Sequence, residues 1–492
     1  MAEPRCTLAR AFHRLTRLQP DAPALLGPSG EVLASRRDVL LEATRLAEIV
    51  TPFVAPGRPV VLSLPNASGL LPAFLALRQL GAQVALVDAA APENELIRCS
   101  TTVGASAVLA TAERLTREHV AWSRGAMALT VRYPEAAPAL PPLTALLKLT
   151  SGSTGTPRAV ALSMRQVVAD SVQILRTMGI RPGDVTLAAI PLTHSYGLGS
   201  CLVPFFLVGL PLAFPTCSLP AALADCLVAA RAAHFPAVPA MIRALATLPD
   251  LPRFPYMRVC LAAGAPLAPA DAAAFHAATR VKVHVFYGSS ECGGICYDRG
   301  DAPSHEPGAV GTAMDRVTVS ILDDAERDLT TGAEGRVVVS SRAVALGTVP
   351  PLGDPRALTP GRFVTGDLGR LDADGRLTLT GRIAGFLNVA GKKVHPEEVR
   401  QVLEAVAGVR AAVVVSLPDR HRGEMVGAVV AVDPASGLTV RALLTACRGS
   451  LAPHKVPRRL AIVAEIPMSD RGKVRVDALV DLLAGAAAGS SR

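Results

Sequence analysis

The residues best suited to chemistry in this chain of 492 lie in a run of glycines and hydroxyls, LTSGSTGTPRAV, Leu149 to Val160. Glycine lacks a Cβ and tolerates positive φ, so such a loop can bring backbone N–H groups close to an anion while serine and threonine hydroxyls donate to its oxygens. Arg158 adds a positive charge. No Gly-Lys-Ser/Thr follows, so the loop is not a P-loop of the GxxxxGK[ST] kind. Read by itself, the run serves as a phosphate cradle or as a flexible connector. Lysine is scarce: Lys148, Lys282, Lys392, Lys393, Lys455 and Lys473 are the full set, which makes each a candidate for a specific task. His194 follows an apolar run and is open to two readings, a satisfied core histidine or a residue of a site. Cys292 and Cys296 are the one closely spaced pair among nine cysteines, and no second pair completes a zinc site.

The elements that must position these residues are written in the apolar rhythm. VVLSLPN (Val60 to Asn66) and VALVDAA (Val84 to Ala90) read as buried parallel strands, with SGLLPAFLALRQLG between them as a helix ending at Gly81. The rhythm continues in DVTLAAIPL, MRVCLAAGAPL and VKVHVFYGSSE, an alternation that argues for βαβ units and a parallel sheet. CLVPFFLVGLPLAF, Cys201 to Phe214, reads as buried strand and turn, and the Pro/Ala-rich stretch from Trp122 to Leu143 as a connector. After about Val310 the strands shorten, and DADG (Asp372 to Gly375) marks a hairpin turn. From Gly381 a mixed pattern follows: helix PEEVRQVLEAV, strands AAVVVSLPD and MVGAVVAVD, helix TVRALLTACRGSL and strand RRLAIVAEI. The tail AGAAAGSSR reads as disordered. The expected fold is α/β: a large N-terminal lobe (1–380) of parallel and mixed sheets with flanking helices, plus a small mobile α+β C-terminal domain (381–492).

Composition narrows the class. At roughly 150 residues per domain the length suggests about three structural units. The formal charge of +9 comes from dispersed residues, mostly arginine, without the basic, aromatic-interleaved stripe of a nucleic-acid binder. Apolar runs break well before the roughly 18 residues that a membrane-spanning helix needs. The N-terminal MAEPRCTLARAFHRL lacks the apolar core of a secretory signal, and the scattered cysteines suit a reduced, cytoplasmic setting.

The order of further motifs takes the opening loop out of its ambiguity. LTSGSTGTPRAV resembles the phosphate-binding signature of the adenylate-forming superfamily: acyl-CoA synthetases, adenylation domains of non-ribosomal synthetases, and luciferases. Downstream, PLTHSYGLG (Pro191 to Gly199) resembles the acyl-pocket motif, AAGAPL (Ala262 to Leu267) the adenine-side loop and FYGSSE (Phe286 to Glu291) the Tyr-Gly-x-Thr-Glu motif. VTGDLGRLDADGRLTLTGR resembles the ribose-binding aspartate and hinge region, NVAGKKVHPEEVR the loop after the hinge, and IPMSDRGKVRVDAL the terminal lysine motif. The resemblance covers essentially the whole chain. It implies activation of a carboxylic acid by ATP to acyl-AMP and pyrophosphate, then thioester formation with CoA or the phosphopantetheine of an acyl carrier protein, with Mg²⁺ as cofactor.

By the same resemblance, Thr150, Ser151, Gly152, Ser153, Thr154 and Gly155 hold the β- and γ-phosphates, assisted by Arg158. Glu291 places the metal and Lys473 bridges the carboxylate and the α-phosphate. Gly264, Ala265, Pro266, Tyr287, Gly288, Ser289 and Ser290 line the nucleotide. Asp367 takes the ribose diol, and Arg382 the ribose or phosphate. His194, Tyr196, Gly197 and Gly288 shape the acid's tunnel, and Gly391, Lys392 and Lys393 face the phosphopantetheine after a domain rotation. Glycines at 197, 199, 288 and 293 lean towards an elongated, fatty or otherwise hydrophobic acid. Four positions depart from the family pattern: Arg158 replaces lysine, Ala159 glycine, Ser290 threonine, and Ala384 the hinge Asp or Lys. A nucleotide-binding regulator without turnover is the competing class, opposed by the presence of Glu291, Asp367 and Lys473.

Overall fold

The computed structural model describes residues 6–66, 69–115, 120–124, 127–131, 138–151, 157–303, 306, 308–323, 325–352, 354–382, 387–394, 396–467 and 476–488. It forms two compact units, one of Met1–Ala89, Ser100–Leu149 and Ala159–Ile383, the other of Ala90–Cys99, Thr150–Arg158 and Ala384–Arg492.

The first unit is built on two sheets. In one, the strands Pro59–Ser63, Gln83–Leu86 and Ala107–Thr111 run parallel, and Leu146–Ser151 joins in parallel beside Gln83–Leu86. Every residue of Pro59–Ser63 is buried, as a strand covered on both faces must be, which is why it reads as an unbroken apolar run. The expected helix spans Leu70–Gln79 and stops before Gly81, whose φ of +78° ends the last turn. The other sheet places Thr186–Leu187, His234–Ala237, Val259–Ala262 and Val283–Ser289 side by side in parallel. It then turns antiparallel through Gly293–Tyr297 and Ala309–Ala313 to the hairpin of Arg362–Leu371 and Arg376–Arg382. Val283–Ser289 thus stands where parallel pairing gives way to antiparallel. Its carboxyl end opens into a tight turn, and carboxyl ends of parallel strands are where α/β sheets offer ligand crevices.

Three readings of local structure need correction. The run from Cys201 to Phe214 is not strand and turn: Leu198–Leu202 is a π-type turn and Val203–Val208 an α-helix, followed only by the two-residue strand Leu212–Ala213. Pro204 sits in the first helical turn, where no N–H is needed, and Gly209 at φ +72° closes the helix. The helix is apolar all round because Phe205 and Phe206 pack with Phe12 and Phe74 at ring distances of 5.2 to 5.7 Å in the core. The stretch after Trp122 opens not as connector but as a hairpin of Val120–Arg124 and Met127–Val131. The tail is helical through Ala488: alanine is the best helix former, and Leu479 and Leu483 are fully buried against Val415, Leu417 and Val429.

In the second unit Pro396–Glu404 and Val440–Ser450 are helices. Val409–Asp419 and Gly423–Val432 pair antiparallel, and Arg459–Val463 adds in parallel. Thr439 caps its helix by accepting the N–H of Ala442 at 3.2 Å. Among the described residues no helix is long and apolar enough to cross a membrane.

Candidate active site

The turn Ser289–Gly294 is held from several sides. The Glu291 N–H donates to the Ser289 hydroxyl at 3.2 Å, and the Ala345 N–H donates to the Glu291 carbonyl at 2.7 Å. The Ser195 hydroxyl donates to that of Ser290 at 2.8 Å, tying the PLTHSYGLG segment to the turn. That segment is itself fixed: the Asn66 side chain donates to Ile190 O at 2.7 Å and accepts from the Leu192 N–H at 2.9 Å. Gly197 belongs there because a Cβ would lie 2.1 Å from the Pro191 carbonyl oxygen. His194 precedes the short helical turn Ser195–Gly197, with Nε2 3.2 Å from Asp88 Oδ2. The Tyr196 ring packs 5.6 Å from Phe286, and burial pushes its hydroxyl well above the ordinary tyrosine pKa, so it stays protonated. Glu291 itself is half-buried, a carboxylate presented from a backbone that cannot easily move.

The residues expected on the nucleotide side are partly assembled in the same unit. Tyr287 donates from its hydroxyl to Asp367 Oδ2 at 2.5 Å, and Asp367, 5% exposed, receives a second constraint as its N–H donates to Thr365 Oγ1 at 3.0 Å. Burial, and then the charge of Asp367, raises the Tyr287 pKa and keeps it a donor. Arg382 ends its strand in register with Asp367. Gly264, at φ +86°, Ala265 and Pro266 follow the buried strand Val259–Ala262 as an open turn. Gly288 is exposed near the end of its strand.

Other expected site residues are placed separately or lie outside the description. Thr150 and Ser151 end the strand Leu146–Ser151, and Arg158 is the second residue of Pro157–Leu162, half-buried. Gly152, Ser153, Thr154, Gly155, Ala384 and Lys473 lie outside the described residues. In the second unit Gly391, at φ +82°, makes the turn between Leu387–Val389 and Lys392–Val394, with Lys392 and Lys393 half-buried on the returning strand.

Four residues around the turn escaped attention as site residues: Asp88, Ser195, Asp170 and, beyond its scarcity, Lys148. Two of them left a signal. Lys148 is a charge inside the apolar run LLKL. Asp170 falls between Val167 and Ile174, both buried, as the one charged residue among those the helix Met164–Thr177 buries.

Among the described residues no three His, Cys, Asp or Glu side chains are grouped to hold a metal. A single carboxylate on a backbone-anchored turn beside serine hydroxyls nevertheless suits magnesium, which prefers hard oxygen donors, keeps several waters and is commonly shared with substrate phosphates.

A parallel sheet carrying an anchored Tyr-Gly-Ser-Ser-Glu turn, an aspartate under a tyrosine hydroxyl and a compact α+β second unit define a class. The chain belongs to the AMP-binding enzymes of the adenylate-forming superfamily: that family's description matches residues 12–348, and its C-terminal domain matches residues 398–473. Oxalate–CoA ligase of Saccharomyces cerevisiae is 28% identical over 352 residues, 71% of this chain and 65% of that protein, so the match spans just under two thirds of the relative. Feruloyl-CoA synthase of an Amycolatopsis species is 28% identical over 94% of this chain and 96% of its own length. The fold is similar to that of the amide bond synthetase McbA from Marinactinospora thermotolerans, with a TM-score of 0.82, 26% identity, and coverage of 96% of this chain and 99% of that one.

Proposed function

We propose that this chain activates a hydrophobic carboxylic acid, fatty or aromatic, and passes the acyl group to CoA. An oxygen of the acid attacks the α-phosphorus of ATP, the bond to pyrophosphate breaks, and acyl-AMP forms. A thiol sulfur then attacks the acyl carbonyl and AMP leaves. The observation that carries this reading is the Ser195–Ser290 hydrogen bond, which fixes the segment of His194, Tyr196 and Gly197 against the turn of Glu291. On this reading the Tyr196 ring, packed on Phe286, borders the acid.

The division of labour follows from charge. Two anions must meet, so the site must offset their repulsion and stabilise the charge that develops at phosphorus. Thr150, Ser151, Gly152, Ser153, Thr154, Gly155 and Arg158 take the β- and γ-phosphates, Arg158 offering a fork where an ammonium would be a point charge. Asp367 and Arg382 hold the ribose, and Gly264, Ala265, Pro266, Tyr287, Gly288, Ser289 and Ser290 border the nucleotide. Magnesium, when bound, neutralises phosphate charge, and Glu291 is the residue that would hold it. From the domain 381–492, Lys473 serves the first half-reaction, and Gly391, Lys392 and Lys393 the second. Feruloyl-CoA synthase, alike over nearly its whole length, supports CoA as acceptor.

The test is acid-dependent pyrophosphate release from ATP across a panel of short, long-chain and aromatic acids, followed by CoA, a holo-carrier protein or an amine as acceptor. Release with hydrophobic acids and a CoA thioester are expected. Release with no acid would overturn the reading, and transfer only to a carrier or an amine would replace CoA as acceptor.

A further inference from the structure

Two buried charges outside the expected site residues grip the turn that carries Glu291. Lys148, 4% exposed, lies within the parallel strand Leu146–Ser151, and Asp170, 5% exposed, lies on the helix Met164–Thr177. Both line one small cavity together with Gln166 and Gly199. The Lys148 ammonium reaches the carbonyl oxygen of Ser290 at 3.5 Å, a long charge–dipole contact, and Asp170 Oδ1 accepts the Gly294 N–H at 2.9 Å. The turn is therefore held on both flanks of Glu291, by a cation before it and an anion after it.

The fit at the anion side is close. Gly293 has φ +71°, and a Cβ there would stand 2.2 Å from Asp170 Oδ1. A Cβ on Gly199 would stand 2.9 Å from Oδ2. The carboxylate thus lies against the backbone of the Glu291 turn on one side and of the π-type turn Leu198–Leu202 on the other. The Ser171 hydroxyl, next in sequence, donates to the Gly199 carbonyl at 2.9 Å.

Such an arrangement is expensive. Burial pulls the Lys148 pKa down and pushes the Asp170 pKa up, each against the attraction of the other. Two charges buried without a direct ion pair between them cost stability that well-packed apolar residues would not, so the fold alone does not account for these two residues. We infer that Lys148 and Asp170 are positioning residues for the metal–nucleotide step, holding the Ser290–Gly294 turn so that the Glu291 carboxylate is presented in one geometry. The inference rests on Glu291 being the residue that holds magnesium.

The test uses the full chain with Lys148 and Asp170 replaced together, Lys148→Met with Asp170→Leu, which leaves no charge unpaired. Outer-shell partners of a metal ligand typically carry about 10–100-fold in affinity, so binding of magnesium α,β-methylene-ATP, read by calorimetry, should weaken by about tenfold or more. The magnesium concentration for half-maximal pyrophosphate release should rise in step. A folded double variant that binds the analogue like the wild type overturns the inference. Glu291→Gln is measured alongside. If it binds the analogue like the wild type, the assignment of Glu291 falls and the inference with it. If Glu291→Gln weakens binding and the double variant does not, only the inference falls. Should the double variant fail to fold, Asp170→Ala carries the test: it removes both the acceptor for Gly294 and the charge facing Lys148. Weakened binding is expected there too, and unchanged binding overturns the inference.

Discussion

Lys148 in the first unit and Lys455 in the second are both almost wholly buried, yet their surroundings drive them in opposite directions. Burial pulls each towards the neutral amine. At Lys455 two carboxylates, Glu398 Oε1 at 2.9 Å and Glu95 Oε1 at 2.8 Å, outweigh burial and raise the pKa. At Lys148 burial prevails: Asp170 attracts it, but the contact of the ammonium is to a backbone carbonyl at 3.5 Å. Lys455 is a satisfied structural tie between the segment Ala90–Cys99 and the helix Pro396–Glu404. Lys148 is under-satisfied and sits against a turn of the candidate site. Direct carboxylate contacts mark a charge that stabilises; a charge kept without them asks for a functional explanation.

The largest effect should come from breaking the tie. Lys455→Met leaves the buried Glu398 facing the half-buried Glu95, with only the 3.8 Å contact of Arg98 to offset it, and should cost about 3–5 kcal/mol of unfolding free energy in urea. A loss under about 1 kcal/mol would remove the structural side of the contrast. Next, Lys148→Met alone should cost roughly 3 kcal/mol by leaving Asp170 buried and uncompensated, and adding Asp170→Leu should return most of it. If the second substitution deepens the loss instead, the two charges do not act as a pair.

A third case carries the contrast to a basic side chain with no carboxylate in hydrogen-bonding contact. His234 is buried, its Nδ1 3.2 Å from the Thr186 hydroxyl, and burial lowers its pKa to about 3. With the folded pKa below the unfolded value of about 6.5, the unfolded chain takes up the proton first, so stability is complete above pH 6.5 and is lost as pH falls towards 3. Between pH 6.5 and 5 the contribution should be roughly 2 kcal/mol at most, read as the difference in acid sensitivity between wild type and His234→Leu. Equal acid sensitivity in the two would show that the histidine is not held neutral. The smallest effect should come from Ser195→Ala, which removes a neutral anchor of the Glu291 turn. It should slow pyrophosphate release by roughly threefold to tenfold, the worth of one hydrogen bond. A loss beyond a hundredfold would mean that this anchor, and not the charged pair, dominates.

Much of the parallel scaffold was legible in sequence because a strand covered on both faces must be apolar throughout, as Pro59–Ser63 is. The motifs were legible as local strings, and the Tyr-Gly-Ser-Ser-Glu turn lies where its string implies, at the carboxyl end of a parallel strand. What escaped depends on residues far apart. The helical state of Val203–Val208 comes from packing against Phe12 and Phe74, which nothing in VPFFLV announces. The pairing of Asp170 with Gly294 spans 124 residues, and a lone carboxylate on the buried side of a helix calls for a partner without saying what answers it. Ser195 escaped for the same reason: its partner, Ser290, lies in another motif.

The most direct test of the central claim is detection of the intermediate. With ATP, magnesium and a hydrophobic acid but no acceptor, mass spectrometry of the quenched enzyme should find acyl-AMP bound to the wild type, with pyrophosphate formed in equal amount, and should find neither with Lys473→Ala. Formation of ADP and phosphate in place of AMP and pyrophosphate, or the same yield of acyl-AMP from Lys473→Ala, would contradict the account.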